Sequence, residues 1–276
     1  MELNDIKLPD RSGVTNKGDA GRVLIIGGGV GMCGAAAFAA EAAYRTGCGL
    51  VKVYTHCENR IPMQTLVPEA VLSFWEDSFD TPILDASLKW ADSVLIGVGF
   101  GCGEKQVKIL KKVLTSSAKP IVIDADALNI ISAYPSLMSC VPEGSVLTPH
   151  LAELSRLTGY SIEDIKANTL RILREQFLDK RINVAAKSAS TFILTSFGDE
   201  CMSSTGDSSL STGGTGDILA GMIASLIAQK MSPDIALITA VQLHGMAGRI
   251  AGEKLGVRSV IARDVISALP DVLKEY

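Results

Sequence analysis

The sequence predicts an α/β protein in which a mostly parallel sheet is covered by helices on both faces. Short apolar runs alternate with longer alanine-rich or amphipathic segments along the N-terminal half, which is typical of repeated strand–helix units. Aromatic residues make up only 5% of the 276 residues, whereas glycine occurs 26 times. Small residues of this kind suit helices that pack closely on a sheet and tight turns at strand ends.

The elements of the N-terminal half follow from local signals. Residues 1–20 are polar and predict irregular structure, whereas the apolar run at 22–26 is closed by three glycines and predicts a buried strand. Further strands are expected at 50–54, 93–96, 120–123 and 145–147, and helices at 35–45, 82–90 and 105–114. After the last of these strands, Thr148 and Pro149 are expected as the N-cap and the first residue of a helix.

The C-terminal half changes character. Three short strands are expected at 182–187, 191–195 and 200–203, the last two as a possible hairpin around Gly198 and Asp199. Apolar residues surround the axis of segment 218–228, which predicts a fully buried helix. Further helices are expected after Ser232-Pro233 and at 263–274. Since no Pro/Ser-rich linker interrupts the chain, we expect a single domain over residues 1–276.

The composition argues against several classes of protein. The 26 Lys and Arg residues against 30 Asp and Glu give a net charge of −4, which argues against a nucleic-acid partner. The six cysteines lack zinc-site spacing, and scattered thiols favour a cytoplasmic protein. We expect no signal peptide and no membrane partner, because no apolar run approaches the ~18 residues of a spanning helix. His56 and His244 lack a companion motif and are interpreted as structural residues.

A first glycine cluster follows the predicted strand 22–26. Residues 29–34 formally match G-x-G-x-x-G, and Glu58 stands at about the distance of the ribose partner in a dinucleotide-binding fold. The alternative is that these glycines allow a tight turn and close packing of helix on sheet. Three consecutive glycines at 27–29 are unlike the usual fingerprint and favour this alternative.

A second glycine cluster, Gly213-Gly214-Thr215-Gly216-Asp217, directly precedes the apolar helix; we refer to it as the 213–217 turn. Free amides at a helix N-terminus attract anions, because their N–H groups and the helix dipole point at the ligand. The dipole is expected to keep Asp217 ionised, so that it could act as a base beside a phosphate-accepting hydroxyl. The alternative is that Asp217 only stabilises the start of the helix.

Several polar residues stand where predicted strands end. Asp124 follows one strand and begins the run DADALN, and carboxylates at the carboxyl end of a parallel strand face the crevice where ligands bind. His150 near a helix start is expected to be neutral and suited to hydrogen bonding or stacking. Glu153 could reach a hydrated Mg²⁺, and Lys187 could meet a phosphate. The alternative interpretations are that the run from Asp124 only caps a helix after the strand, and that Lys187 is a solvated surface lysine.

These motifs, taken in order, resemble one family over about residues 16–273. The chain is similar to the NAD(P)H-hydrate dehydratases, carbohydrate-kinase-like members of the ribokinase-like superfamily that repair damaged nicotinamide nucleotides. The motifs that carry the resemblance are Lys17-Gly18, Gly21-Arg22-Val23, Gly34-Ala35-Ala36, Arg45 to Val51, Pro68-Glu69-Ala70, Gly97 to Gly101, Asp124 to Asn129, Thr148-Pro149-His150 with Glu153, Lys187, Gly213 to Asp217 with Gly221, and His244-Gly245. The resemblance implies a ribokinase-like three-layer α/β/α sandwich with a mostly parallel central sheet.

The resemblance also implies an activity. A family member of this kind would use ADP or ATP to phosphorylate the ring hydroxyl of the S-form of NADH or NADPH hydrate, and loss of phosphate would then regenerate NAD(P)H. Asp217 would be the base, and the amides of Gly214 and Gly216 would stabilise the transferring phosphoryl group. Mg²⁺ is implied as a cofactor that Glu153 holds through water. We therefore expect a hydro-lyase of nucleotide repair.

The implied contacts of the two substrates fall on separate segments. Residues implied to contact the hydrate are Ala35, Gly101, His150 and Asp217. Residues implied to contact the donor nucleotide are Lys187, Ser188, Ala189, Ser190, Thr191 and Gly216. A homotetramer is the implied assembly.

The chain departs from the family pattern at three places. Lys187 is followed by Ser188 where the family often has glycine, Asn16 stands where it often has histidine, and segment 207–212 differs from its usual residues. Ser188 could crowd a close phosphate. A small-molecule kinase of the same fold, acting on a vitamin-precursor alcohol, is the nearest alternative. A nucleotide sensor and a dinucleotide-dependent dehydrogenase are more distant ones.

Overall fold

The computed structural model describes residues 6–76 and 81–276, and within them it forms one nine-stranded sheet. Its strands are β1 (Arg22–Ile26), β2 (Leu50–His56), β3 (Val71–Trp75), β4 (Ser93–Ile96), β5 (Ile121–Ile123), β6 (Val146–Leu147), β7 (Asn183–Ala186), β8 (Thr191–Leu194) and β9 (Glu200–Ser203). They lie in the order β3-β2-β1-β4-β5-β6-β7-β8-β9. Neighbours from β3 to β7 are parallel, whereas β8 pairs antiparallel with both β7 and β9.

Helices cover both faces of this sheet, as predicted. They are α1 (Cys33–Arg45), α2 (Arg60–Leu66), α3 (Thr81–Trp90), α4 (Glu104–Ser116), α5 (Asp126–Ala133), α6 (Leu151–Thr158), α7 (Ile162–Phe177), α8 (Thr215–Ala228), α9 (Pro233–Leu255) and α10 (Ala262–Leu273). Buried residues of α1, α8, α9 and α10 share one core, and buried residues of α3 to α7 share the other. The fold is therefore a three-layer α/β/α sandwich.

The alternation of side chains along β1 divides these two cores. Val23 and Ile25 lie in the core beneath α1 and α8, whereas Leu24 and Ile26 lie in the opposite core, and all four are fully buried. A central parallel strand with both faces covered requires a continuous apolar run, which is what residues 22–26 provide.

Helix α8 is buried around most of its circumference, as the apolar segment 218–228 predicted. A Cβ atom on Gly221 would lie 2.2 Å from the carbonyl oxygen of Ala39 on α1, so only glycine lets these two helices approach so closely. The hairpin of β8 and β9 around Gly198 is also confirmed. The part of the chain that the structure describes contains no helix that is both long and apolar enough to cross a membrane.

Four elements were missed, and one predicted cap was wrong. Strand β3 and helices α2, α5 and α7 were not predicted, although the side chain of Ser161 caps α7 by accepting a hydrogen bond from the Asp164 amide. The N-cap of α6 is His150, two residues after Thr148. The reason is that a bridge between His150 and Lys187 continues the sheet beyond β6, which keeps Thr148 and Pro149 extended.

Candidate active site

The candidate site lies at one edge of the sheet, where the carboxyl ends of β4 to β7 meet the start of α8. In a doubly wound sheet this edge holds the ligand, next to the point where the strand order reverses. That reversal falls between β1 and β4. Three charged side chains from distant segments come together here, namely Lys187, Asp217 and Asp124. The charges of Lys187 and Asp124 both shift the pKa of Asp217.

The 213–217 turn presents an open face at the start of α8. Gly214 is the N-cap, with a left-handed φ of 95° that favours glycine. The hydroxyl of Thr215 donates to the carbonyls of Leu210 and Thr212 at 2.8 and 3.0 Å and so fixes the turn from behind. Among residues 6–76 and 81–276, nothing lies within 4 Å of a Cβ placed on Gly213. The free amides at this helix start are therefore suited to an anion.

Asp217 lies in the first turn of α8 and is partly buried. Burial and the negative charge of Asp124 raise the pKa of its carboxyl to about 7, although Lys187 opposes this shift. The prediction that the pKa of Asp217 is held low is therefore wrong in direction, because burial and the charge of Asp124 raise it. A carboxyl with a pKa near neutrality is well suited to accept a proton as a general base.

Lys187 follows β7, and its Nζ lies 2.8 Å from Oδ1 of Asp124. The same carboxylate oxygen accepts a hydrogen bond of 2.7 Å from the hydroxyl of Thr148. Burial alone would lower the pKa of Lys187, but the charges of Asp124 and Glu153 outweigh it and raise that pKa. Lys187 is thus a permanently charged ammonium in the site and not a solvated surface lysine.

His150 and Glu153 form a capping box at the start of α6. Nδ1 of His150 accepts hydrogen bonds from the amides of Ala152 and Glu153 at 3.1 and 3.3 Å, so the proton of the neutral ring is on Nε2. Burial and the charge of Lys187 lower the pKa of His150, in agreement with the predicted neutral imidazole. The side chain of His150 is 51% exposed.

Glu153 does not fit as a direct ligand of a metal ion. Its Oε2 accepts from the His150 amide at 2.8 Å, and its Oε1 lies 3.2 Å from Nε2 of His150. Within the described ranges, no group of three His, Cys, Asp or Glu side chains is placed to hold a metal. These residues therefore offer a magnesium ion no set of direct side-chain ligands.

Ala35, in the first turn of α1, packs against Gly99, two residues before Gly101. A Cβ on Gly99 would contact Cβ of Ala35 at 2.8 Å, which places the start of α1 against the loop that carries Gly101. The amide of Gly101 donates to Oδ2 of Asp126 at 2.7 Å, and Asp126 in turn raises the pKa of Asp217. Of the residues expected to contact the hydrate, Ala35, Gly101 and Asp217 are thus linked through Gly99 and Asp126.

The first glycine cluster packs backbone against backbone. The amides of Gly28 and Gly29 donate to the carbonyls of Val98 and Gly99 at 2.9 and 2.6 Å. A Cβ on Gly27 would lie 2.3 Å from the Val98 carbonyl oxygen. This close approach requires glycine at 27–29, as the packing interpretation predicted, and the amides of all three residues are engaged, that of Gly27 by the Tyr54 carbonyl. A Cβ on Gly31 or Gly34 would meet no described atom within 4 Å.

A cleft of about 480 Å³ adjoins the 213–217 turn. Of the residues predicted to contact the nucleotide, it is lined by Ser188, Ala189 and Thr191 and not by Lys187, Ser190 or Gly216. The sequence analysis missed the rest of the lining, which comprises Ser203, Thr205, Gly206, Asp207, Ser208, Leu210, Ser211, Leu219, Val241, His244 and Gly245. The pair His244-Gly245 is one of the motifs that carry the family resemblance, although His244 was interpreted as a structural residue.

His244 is buried next to the turn, and its ring hydrogen-bonds with the backbone of Thr215. Burial and the charge of Lys187 lower its pKa to about 4, so the ring is neutral. Within residues 6–76 and 81–276, its Nε2 has no hydrogen-bond partner. His244 therefore joins the cleft to the 213–217 turn.

Comparison with known proteins decides the family. The family model of the NAD(P)H-hydrate dehydratases matches residues 23–271. The chain belongs to this family. The candidate site is therefore that of a hydrate dehydratase family member. The fold is also similar to that of a ribokinase-like superfamily protein of Enterococcus faecalis, with a TM-score of 0.83 and 30% identity over 98% of this chain and 92% of the other.

Curated relatives of the family are of two lengths. The chain is 35% identical over 267 residues to the bifunctional NAD(P)H-hydrate repair enzyme of Escherichia coli, covering 96% of this chain and 50% of that protein. It is 33% identical to the ADP-dependent (S)-NAD(P)H-hydrate dehydratase of Staphylococcus aureus, covering 99% of this chain and 96% of that protein. The chain thus spans about half the length of the bifunctional relatives.

A solved relative has the same fold. The structure of the ADP/ATP-dependent NAD(P)H-hydrate dehydratase from Bacillus subtilis, co-crystallized with ATP and Mg²⁺, superposes with a TM-score of 0.82. The two chains are 26% identical, and the match covers 97% of this chain and 94% of the other. The dehydratase family is thus also supported at the level of structure.

Proposed function

We propose that this chain uses ADP or ATP to dehydrate the S-form of NADH or NADPH hydrate and so returns it to NAD(P)H. The observation that carries the proposal is the placement of Asp217, a carboxyl of near-neutral pKa, in the first turn of an anion-binding helix that faces Lys187. The names of the relatives from S. aureus and B. subtilis agree with it.

The chemistry assigns one role to each group. Asp217 takes the proton of the ring hydroxyl, whose oxygen attacks the terminal phosphorus of the nucleotide while the bond to the leaving nucleotide breaks. Amides of Gly214 and Gly216, with the ammonium of Lys187, stabilise the negative charge on the transferring group. The lone pair of the ring nitrogen then expels phosphate, and loss of a proton from the neighbouring ring carbon restores the dihydropyridine.

The two substrates are assigned to adjoining regions. We place the nucleotide in the cleft next to Ser188 and Thr191, with Ala189, Ser190 and Gly216 beside its phosphates. We place the hydrate in the crevice between Ala35, Gly101 and His150. A magnesium ion bound with the nucleotide would neutralise phosphate charge, and Glu153 would meet it through water.

The proposal also covers the domain organisation, cellular location and assembly of the protein. We infer a single domain over residues 1–276 that acts in the cytoplasm as a homotetramer. Support for one domain comes from the single sheet and from a family model that spans residues 23–271. Size measurement in solution tests the tetramer.

The deciding experiment is direct. The purified protein is incubated with S-form NADH hydrate, Mg²⁺ and either ADP or ATP, and recovery of the absorbance of NADH is followed. Recovery with one nucleotide is the expected result and identifies the donor. No recovery with either nucleotide, together with nucleotide consumption on a vitamin-precursor alcohol, would instead indicate a small-molecule kinase.

A further inference from the structure

Asp124 is a buried carboxylate that takes no part in the proposed reaction steps. Its side chain is 2% exposed, and its Oδ1 contacts both Nζ of Lys187 at 2.8 Å and the hydroxyl of Thr148 at 2.7 Å. These partners come from β7 and β6, while Asp124 itself follows β5. A buried carboxylate needs such charged and hydrogen-bonded partners, since burial without them is costly.

Lys187 is held at both ends. Its amide donates to the carbonyl of Pro149 at 2.8 Å, which fixes the backbone at the sheet edge. Its Nζ lies 3.2 Å from the position of a Cβ on Gly216, so the ammonium stands directly in front of the 213–217 turn. An ammonium has three donors, and the bond to Asp124 uses one of them. Two N–H groups remain for an anion bound at the turn.

We infer that Asp124 is a positioning residue, which holds the ammonium of Lys187 in front of Gly216 so that it meets the phosphate of the donor nucleotide. Lysine is a flexible point charge, and a fixed carboxylate restricts its four-carbon chain to one direction. Thr148 fixes the carboxylate oxygen in turn. The inference rests on the proposed function only in naming the anion as a nucleotide phosphate.

Burying the charges of Asp124 and Lys187 costs free energy, and the location of the pair explains why it is kept. An ion pair that only stabilised the fold could be placed anywhere in the core, and such pairs add little stability there. This pair is on the edge of the site, with the lysine side chain 21% exposed and its partner fully covered. The carboxylate is thus shielded from the ligand, and the ammonium is presented to it.

A double-mutant cycle tests the inference with ADP as the probe. Affinities for ADP are measured by calorimetry for the wild type, Asp124→Asn, Lys187→Met and the double variant. We expect about a tenfold loss for Asp124→Asn, a loss at least as large for Lys187→Met, and no further loss beyond about twofold in the double variant. Losses that multiply in the double variant, or wild-type affinity in Asp124→Asn, would overturn the inference.

Two further variants keep the test informative. Thr148→Val leaves both charges in place and removes only the hydroxyl that fixes Asp124, so about a threefold loss is expected, again absent on the Lys187→Met background. Asp92→Asn is the matched control, because Asp92 forms a 3.0 Å ion pair with Lys230 near the opposite edge of the sheet, where its Oδ2 accepts from the amide of Arg22. It is expected to retain wild-type ADP affinity.

Turnover provides a second readout. In the hydrate assay, Asp124→Asn is expected to raise the KM of the nucleotide about tenfold and to leave the KM of the hydrate within about twofold. A purely structural role would not separate the two substrates and would contradict the inference. If the wild type does not turn over hydrate at all, the proposed function fails, whereas the ADP affinities still decide the role of Asp124.

Discussion

The ring of Phe38 on α1 lies against Gly214, so that a Cβ atom at Gly214 would be 2.7 Å from Cδ2 of the ring. Gly214 also has a φ of 95°, in the left-handed region that L side chains rarely adopt. The shape of the anion-binding turn therefore depends both on backbone conformation and on the packing of a neighbouring helix.

The variant Gly214→Ala tests this relationship. Backbone strain and overlap with Phe38 are expected to lower the free energy of unfolding by roughly 2 to 4 kcal/mol and to reduce turnover at least tenfold. Thermal and urea unfolding measure the first effect. Gly213→Ala is the control for stability, because its Cβ meets no atom of the described residues within 4 Å. Equal stabilities of the two variants would contradict the argument.

Asp217→Asn separates catalysis from binding. The amide cannot accept the hydroxyl proton, whereas the 213–217 turn and Lys187 are unchanged. We expect kcat to fall by about 10² to 10⁴ and the Kd of ADP to stay within about threefold. Steady-state kinetics and calorimetry measure the two quantities. Near-normal turnover in this variant would exclude Asp217 as the base.

The pH dependence of kcat follows from the pKa of Asp217, which burial raises to about 7. The base acts when deprotonated, so kcat is expected to fall as the pH decreases through about 7 and to be about a hundredfold lower at pH 5. Rates with saturating hydrate and nucleotide between pH 5 and 9 measure this limb. A rate that stays constant down to pH 5 would show that another group is the base.

The same carboxyl affects stability in the opposite sense to a salt-bridged aspartate. Its pKa is raised from 3.8 to about 7 in the folded protein, so between these values the folded state binds more protons and stability falls as the pH rises. A pKa difference of this size corresponds to roughly 4 kcal/mol of folding free energy, which is lost as the pH rises to 8. Asp217→Asn removes this loss.

We therefore expect Asp217→Asn to unfold at a higher temperature than the wild type at pH 8, with a difference that shrinks towards pH 4. Calorimetric unfolding of both proteins across this range measures the difference. Should the asparagine variant be less stable than the wild type at pH 8, the carboxylate must have stabilising partners that outweigh its burial.

Local signals were sufficient for most of the elements. The predicted strands 22–26 and 93–96 coincide with β1 and β4, because a continuous apolar run bounded by turn residues has few other solutions in an α/β protein. Strand β3 was missed although four of its five residues, VLSFW, are apolar; it is the edge strand of the sheet, where Val71 is 49% exposed. The predicted cap at Thr148 failed because the bridge between His150 and Lys187 extends the sheet past Thr148, whose hydroxyl donates to Asp124.

The candidate site likewise has one part that could be predicted from the sequence and another that could not. The 213–217 turn is contiguous, so its glycines and carboxylate were visible in the sequence and predicted an anion site with a base. Most of the cleft was not visible, because Asp207 and His244 are ordinary residues in a loop and a helix until the fold places them on the same lining as Ser188.

The sequence by itself determined the order and type of most elements, the layered α/β class and the position of the 213–217 turn, because each depends on residues close together along the chain. It also determined the family, because the motifs that carry the resemblance are each short and occur in a fixed order. Only the tertiary structure decided the raised pKa of Asp217 and the pairing of Lys187 with Asp124, which are 63 residues apart. Burial and electrostatic interaction depend on distance in space, and the crossovers of a parallel sheet bring together side chains that no local pattern connects.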